Sequence, residues 1–204
     1  MKQSIKKIKE ITEMLSDRET LDLLIMLQST RPGCLIMDPN EGLKNRLQKF
    51  CKQNNYPLEQ KKDNTSKLGK KGFFITEDRE RLEIINRGTG RFYGASDRKV
   101  GKFLGFPEES ISYFNQNIEQ GPIEPQAREK RKQLVEHGVI TKEEADISKI
   151  VSYVPKPSEK SILEAVKRGK THIRNLRTFD QNTEFRIGTR AIENFYNKVP
   201  DFEV

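Results

Sequence analysis

The segment SDRKVGKFLGFPEESISYF, from Ser96 to Phe114, constrains the fold of this chain more than any other stretch. Val100, Phe103 and Leu104 fall on one stripe of a short helix, and Ile111, Phe114 and Ile118 on one stripe of the next. Ser96 suits the N-cap of the first helix, and Pro107 suits the first turn of the second. Gly105, between them, supplies the left-handed backbone that ends a helix without steric cost. Two helices joined by so short a turn cross at a steep angle and bury their stripes together.

Around this corner the hydrophobic spacing predicts an α/β or α+β fold, mainly helical, with about three short strands. Ile5, Ile8, Ile11 and Leu15 mark a first helix. Ser16 and Glu19 form a capping box for a second, which carries Leu21, Leu24, Ile25 and Leu27. Arg31-Pro-Gly breaks the pattern. Residues 34–37 (CLIM) read as a buried strand, after which Asp38-Pro-Asn-Glu41 caps a helix bearing Leu43, Leu47, Phe50 and Cys51. Residues 59–71 have the composition of a loop or a twisted hairpin, and 72–76 (GFFIT) form a second strand followed by a helix over 77–86. Further helices are predicted over 124–137, ended by Gly138, and from a capping box of Thr141 and Glu144. A third strand is expected at 151–154. A long helix then starts at Ser158, and a last one carries Ala191, Ile192, Phe195 and Tyr196. The division expected is a main domain over 1–155 with a C-terminal helical segment, 156–204, packed on it, or a single domain overall.

Charge narrows the choice of partners. The chain of 204 residues has a net charge of +8, distributed by segment. Residues 61–102 hold 12 Lys and Arg against 6 Asp and Glu, and residues 156–190 hold 9 against 4, while residues 103–155 hold 6 against 9. Clustered cations are used most often to neutralise phosphates, so RNA or DNA is the expected partner, a solvated basic surface being the plainer explanation. On the long helix Lys160, Lys167, Arg174 and Arg177 are spaced by seven or three and fall near one outer face. No apolar run is long enough to span a bilayer, and the first fifteen residues alternate Lys and Glu with Ile, so a cytoplasmic protein is expected. The two cysteines, Cys34 and Cys51, sit among apolar neighbours and read as buried thiols.

The segment Ser96 to Phe114 resembles the helix-turn-helix DNA-binding family: Val100, Gly101, Leu104, Gly105, Phe106, Ile111 and Phe114 fall at that motif's packing positions. The resemblance implies that Gly101 admits the second helix and that Glu108, Glu109, Ser112 and Tyr113 face base edges. A helix opening Pro-Glu-Glu brings carboxylates toward phosphates, which opposes that use and favours a structural corner. The turn Leu104-Gly-Phe-Pro107 is also similar to the Leu-Gly-Tyr-Pro turn of an archaeal family of small uncharacterised proteins, without that family's paired cysteines. No activity carries over.

The loop before the corner combines phosphate clamps, Arg87 and Arg91, with rings able to stack on a base, Phe92 and Tyr93. A flexible turn with two buried aromatics is the plainer explanation. The expected interface therefore comprises Arg87, Arg91, Phe92 and Tyr93 with Arg98, Lys99 and Lys102, and Lys167, Arg174 and Arg177 on the long helix. The function expected is nucleic-acid binding without catalysis. The alternatives are an enzyme acting on a phosphorylated or nucleotide substrate near Asp38 and Arg91, and a protein-interaction module. Asp38 stands where α/β enzymes place an acid, although a capping box with Glu41 accounts for it. His137 and His172 lie on different predicted helices without ligand spacing, so no metal, cofactor or catalytic set is expected.

Overall fold

The computed structural model describes residues 2–62, 71–86, 96–117, 123–151, 153–183 and 185–198. Ten helices and one three-stranded antiparallel sheet among these residues make an α+β, mainly helical fold. β1 (Gly33–Met37) pairs with β3 (Lys71–Thr76), placing Cys34 opposite Ile75 and Ile36 opposite Phe73. β3 is central, and its other edge pairs with β2 (Leu58–Lys62). Side chains alternate across a strand, and here the alternation divides the interior. Cys34, Ile36, Phe73 and Ile75 enter a large core, while Leu35 and Phe74 enter a smaller one on the opposite face. Both faces of β1 are covered, which is why its sequence is continuously apolar.

The large core is closed by five helices from the two ends of the chain. α1 (Lys2–Thr12), α2 (Asp17–Leu27) and α3 (Glu41–Asn54) contribute Ile11, Leu24 and Leu47 among others. α9 (Glu159–Thr183) and α10 (Ile187–Lys198) contribute Leu176 and Ile192. The smaller core packs α4 (Arg79–Asn86) and α5 (Asp97–Phe103) on the sheet, the Phe103 ring meeting Phe74 edge-on at 5.3 Å. A third cluster joins α7 (Glu124–Glu136) and α8 (Lys142–Ile147) to α9 through Leu134, Ile140, Ala145 and Ile162.

The local signals are realised where the chemistry is local. Both capping boxes form, the Glu19 and Glu144 backbones donating to Ser16 and Thr141 while their carboxylates accept from the cap nitrogens. At the corner, Ser96 caps α5, Gly105 has φ +73°, and the Phe106 backbone donates to Gly101 O at 2.9 Å before α6 (Glu108–Asn117) begins. A Cβ on Gly101 would lie 2.9 Å from Ile111 Cγ1, so the small residue is what lets α6 approach.

Two expectations are corrected. Val151, Tyr153 and Val154 are not in a strand, and Ser152 lies outside the described residues: Ser148–Val151 is a 3₁₀ turn whose Ile150 enters the large core, and Tyr153 and Val154 lie in irregular backbone. The third strand is instead β2, a polar edge that overlaps the start of the stretch read as a loop or a twisted hairpin and pairs antiparallel with β3, as the hairpin alternative requires; Lys61 Nζ donates to Ile85 O at 2.8 Å. Asp38 does not cap α3. Asn40 does so through a bond from Leu43 N at 2.9 Å, and Asp38 is exposed in a left-handed turn at φ +48°. Cys34 and Cys51 are buried free thiols; burial pushes Cys34 up and Cys51 up to about 12, so both stay protonated.

Candidate nucleic-acid interface

The cations predicted at the corner are engaged within the corner. Arg98 and Lys102, on the exposed side of α5, both reach Glu108 at the start of α6, Lys102 at 3.5 Å. Glu109 pairs with Lys156 at 3.4 Å. Glu108 thus ties α5 to α6 electrostatically, while Glu109 ties α6 to the segment before α9. Lys99, which donates its backbone N–H to Ser96, is half-buried.

α9 presents a different electrostatic surface. Its buried stripe of Ile162, Val166, Ile173 and Leu176 turns Lys160, Lys167, Arg174 and Arg177 to solvent, and none of the four has a carboxylate partner among the described residues. Lys167 and Arg174 line one groove with Glu144, Leu163, Val166, Lys170 and Thr171. Seven residues separate them, about 10 Å along the axis. The neighbouring cations on α9 are neutralised, Arg168 by Glu164 at 2.7 Å and Lys170 by Glu144 at 2.5 Å. The bond from Lys170, together with the cap bond from Thr141, holds the Glu144 carboxyl below its ordinary pKa.

The expected interface is therefore only partly brought together. Lys167 and Arg174 share a groove, Arg177 continues the same exposed side of α9, and none of the described grooves joins them to Arg98, Lys99 or Lys102. Arg87, Arg91, Phe92 and Tyr93 lie outside the described residues. Asp38 lines none of the described cavities.

Sequence reasoning missed two arginines beneath the corner, Arg31 buried and Arg81 half-buried. Arg31, read as part of a break, is 6% exposed, holds Asp22 at 2.6 Å and donates from Nε to Leu104 O at 3.2 Å. Arg81 donates to Phe103 O at 2.8 Å and Lys102 O at 2.7 Å. Together they donate to the carbonyls at the end of α5: Phe103 O and Leu104 O, and Lys102 O, which also accepts from Gly105 N. The turn, Gly105-Phe-Pro107, was the available signal, since a helix stopped so sharply needs donors from elsewhere.

Beside Arg31 lies a half-open pocket of about 380 Å³ lined by α2, β1, α5, α6 and Tyr153-Val154. His172 of α9 lies close behind, buried, its Nδ1 without a hydrogen-bond partner among the described residues. Burial, reinforced by the Arg31 charge, pushes it down to about 4. The Tyr153 hydroxyl is likewise without such a partner, and burial pushes it up to about 12. No three His, Cys, Asp or Glu side chains among the described residues come together as a metal site, and no helix among them is long and apolar enough to cross a membrane.

No family model matches this chain, and no curated protein or solved structure matches it.

Proposed function

We propose that the protein binds nucleic acid through its phosphates, along the outer face of α9. The supporting observation is the row Lys160, Lys167, Arg174 and Arg177, exposed and without carboxylate partners among the described residues, while cations elsewhere on the same helix are paired. An unpaired cation can exchange a condensed counterion for a phosphate without first losing an intramolecular partner. Between Lys160 and Arg177 the exposed side chains of α9 include no aromatic ring, so the face has nothing on which to stack a base. Contact is with backbone phosphates and carries little sequence preference.

The test is binding of a labelled single-stranded RNA and a labelled duplex DNA, each followed by fluorescence anisotropy at two salt concentrations. With about three phosphate contacts, duplex affinity falls roughly 40-fold between about 50 and 200 mM salt. Absence of binding at the lower salt, or affinity indifferent to salt, rejects the reading.

A further inference from the structure

The pocket under the corner is apolar along most of its wall and electrically balanced where it is charged. Leu35, Val100 and Ile111 line it together with the aromatic residues Phe106, Phe114 and Tyr153. Its charged lining consists of two cations, Arg18 and Arg31, and two acids, Asp22 and Asp97. Arg31 pairs with Asp22 at 2.6 Å, while Arg18 approaches the same carboxylate at 3.8 Å and also lies in the field of Glu124. Asp97 stands in the first turn of α5, where the helix dipole favours a carboxylate. The four charges sum to zero, so the pocket has no excess to draw an ion of either sign out of water. One polar group on the wall is uncommitted. Ser110 of α6 is 4% exposed and lines the pocket, yet its hydroxyl makes no hydrogen bond to another described residue. A polar side chain in the first turn of a helix commonly reaches back to the backbone N–H of the residue before it, but here that residue is Pro107, which has none. Ile111 and Phe114 flank Ser110 on the same face of α6, so the hydroxyl sits in apolar surroundings.

We propose that this pocket binds a neutral aryl alcohol, its rings packed between β1, α5 and α6 and its hydroxyl bonded to Ser110 Oγ. The apolar and aromatic lining removes the rings from water, and the ligand's hydroxyl gives the buried serine the partner that the fold does not supply. An apolar cavity of roughly 150 Å³ takes one benzene ring, so about 380 Å³ has room for about two fused rings with a substituent. The pocket shares no lining residue with the α9 groove, so the two sites stand or fall separately.

The probe is 2-naphthol, compared with naphthalene, which lacks the hydroxyl, and with the naphthyl carboxylate and the naphthyl methylammonium, which carry a charge. Each is titrated into the full chain near neutral pH and followed by ring fluorescence. The expected result is one naphthol per chain, bound about fivefold more tightly than naphthalene and about tenfold or more tightly than either ion. Ser110→Ala brings naphthol down to the naphthalene level and leaves naphthalene binding unchanged, which shows that the pocket is intact. Failure of naphthol to saturate, equal affinity for naphthalene or for either ion, or a Ser110→Ala variant that still prefers naphthol overturns the proposal. Nucleic-acid affinity stays unchanged in Ser110→Ala, because the substitution leaves Lys160, Lys167, Arg174 and Arg177 in place.

Discussion

Arg31 is the side chain on which several elements depend at once. Its guanidinium joins Asp22 of α2 to the carbonyl of Leu104, and its face lies 5.3 Å from the Phe106 ring. Replacing it with Met preserves volume but leaves the Asp22 carboxylate and a helix-end carbonyl without this donor, a loss expected to cost about 3–5 kcal/mol. Arg98→Ala removes an exposed ion pair and shifts stability by less than about 1 kcal/mol. Urea denaturation of both variants checks this ordering, and equal losses refute it. His172 gives the residue scale a pH dependence. In the unfolded chain it takes a proton near 6.5, whereas in the fold burial and the Arg31 charge delay protonation to about 4. Between those values the unfolded state binds more protons, so stability falls as pH falls, by about 2 kcal/mol at about pH 5. His172→Gln removes that contribution, seen as a smaller shift in urea midpoint between about pH 7.5 and pH 5. An unchanged shift places the acid sensitivity elsewhere.

Among the elements, α9 is fixed by a near collision. A Cβ built on Gly169 would lie 2.3 Å from the carbonyl oxygen of Ile147, where α8 ends, while one on Gly101 would meet only the Ile111 side chain at 2.9 Å. A side chain can turn aside, but a backbone carbonyl moves only with its helix. Gly169→Ala is therefore expected to destabilise by several kcal/mol even though Ala favours a helix interior by about 1 kcal/mol. Gly101→Ala costs about 1–3 kcal/mol. Thermal melts that rank the two in the opposite order contradict this packing. Such close approaches separate the legible from the illegible elements. Ser16 with Glu19, Thr141 with Glu144, and Gly105 act over a few residues, and the sequence shows them. β2, with the sequence LEQKK, is held as a strand by its pairing with β3, a contact its own polar pattern does not encode. Val151 and Tyr153 have strand-forming chemistry, yet Ile150 and Val151 are buried at a 3₁₀ turn beside α9. Arg31 was illegible for a related reason: its carboxylate and carbonyl partners come together only when α2 meets the end of α5.

At the scale of the whole molecule, the question is where a net charge of +8 is available to a partner. Composition places one basic block over residues 61–102, which includes Arg98, and another over 156–190, which includes most of α9. Folding distinguishes them, because the turn at Gly105 carries Glu108 back against Arg98 and Lys102, whereas α9 keeps Lys160, Lys167, Arg174 and Arg177 without carboxylate partners among the described residues. A phosphate arriving at the corner must displace Glu108 or accept its repulsion. One arriving at α9 finds no carboxylate among the described residues bound to these four cations, the acid in the same groove, Glu144, being held by Lys170. The double variant Lys167→Ala with Arg174→Ala is therefore expected to reduce the slope of log affinity against log salt by about 2 for duplex DNA. Arg98→Ala with Lys102→Ala removes the same formal charge and leaves that slope nearly unchanged. If both pairs lower affinity equally, binding answers to the summed field of the molecule and not to a face. If the corner pair alone lowers it, the phosphate takes the place of Glu108, and the contact surface returns to α5.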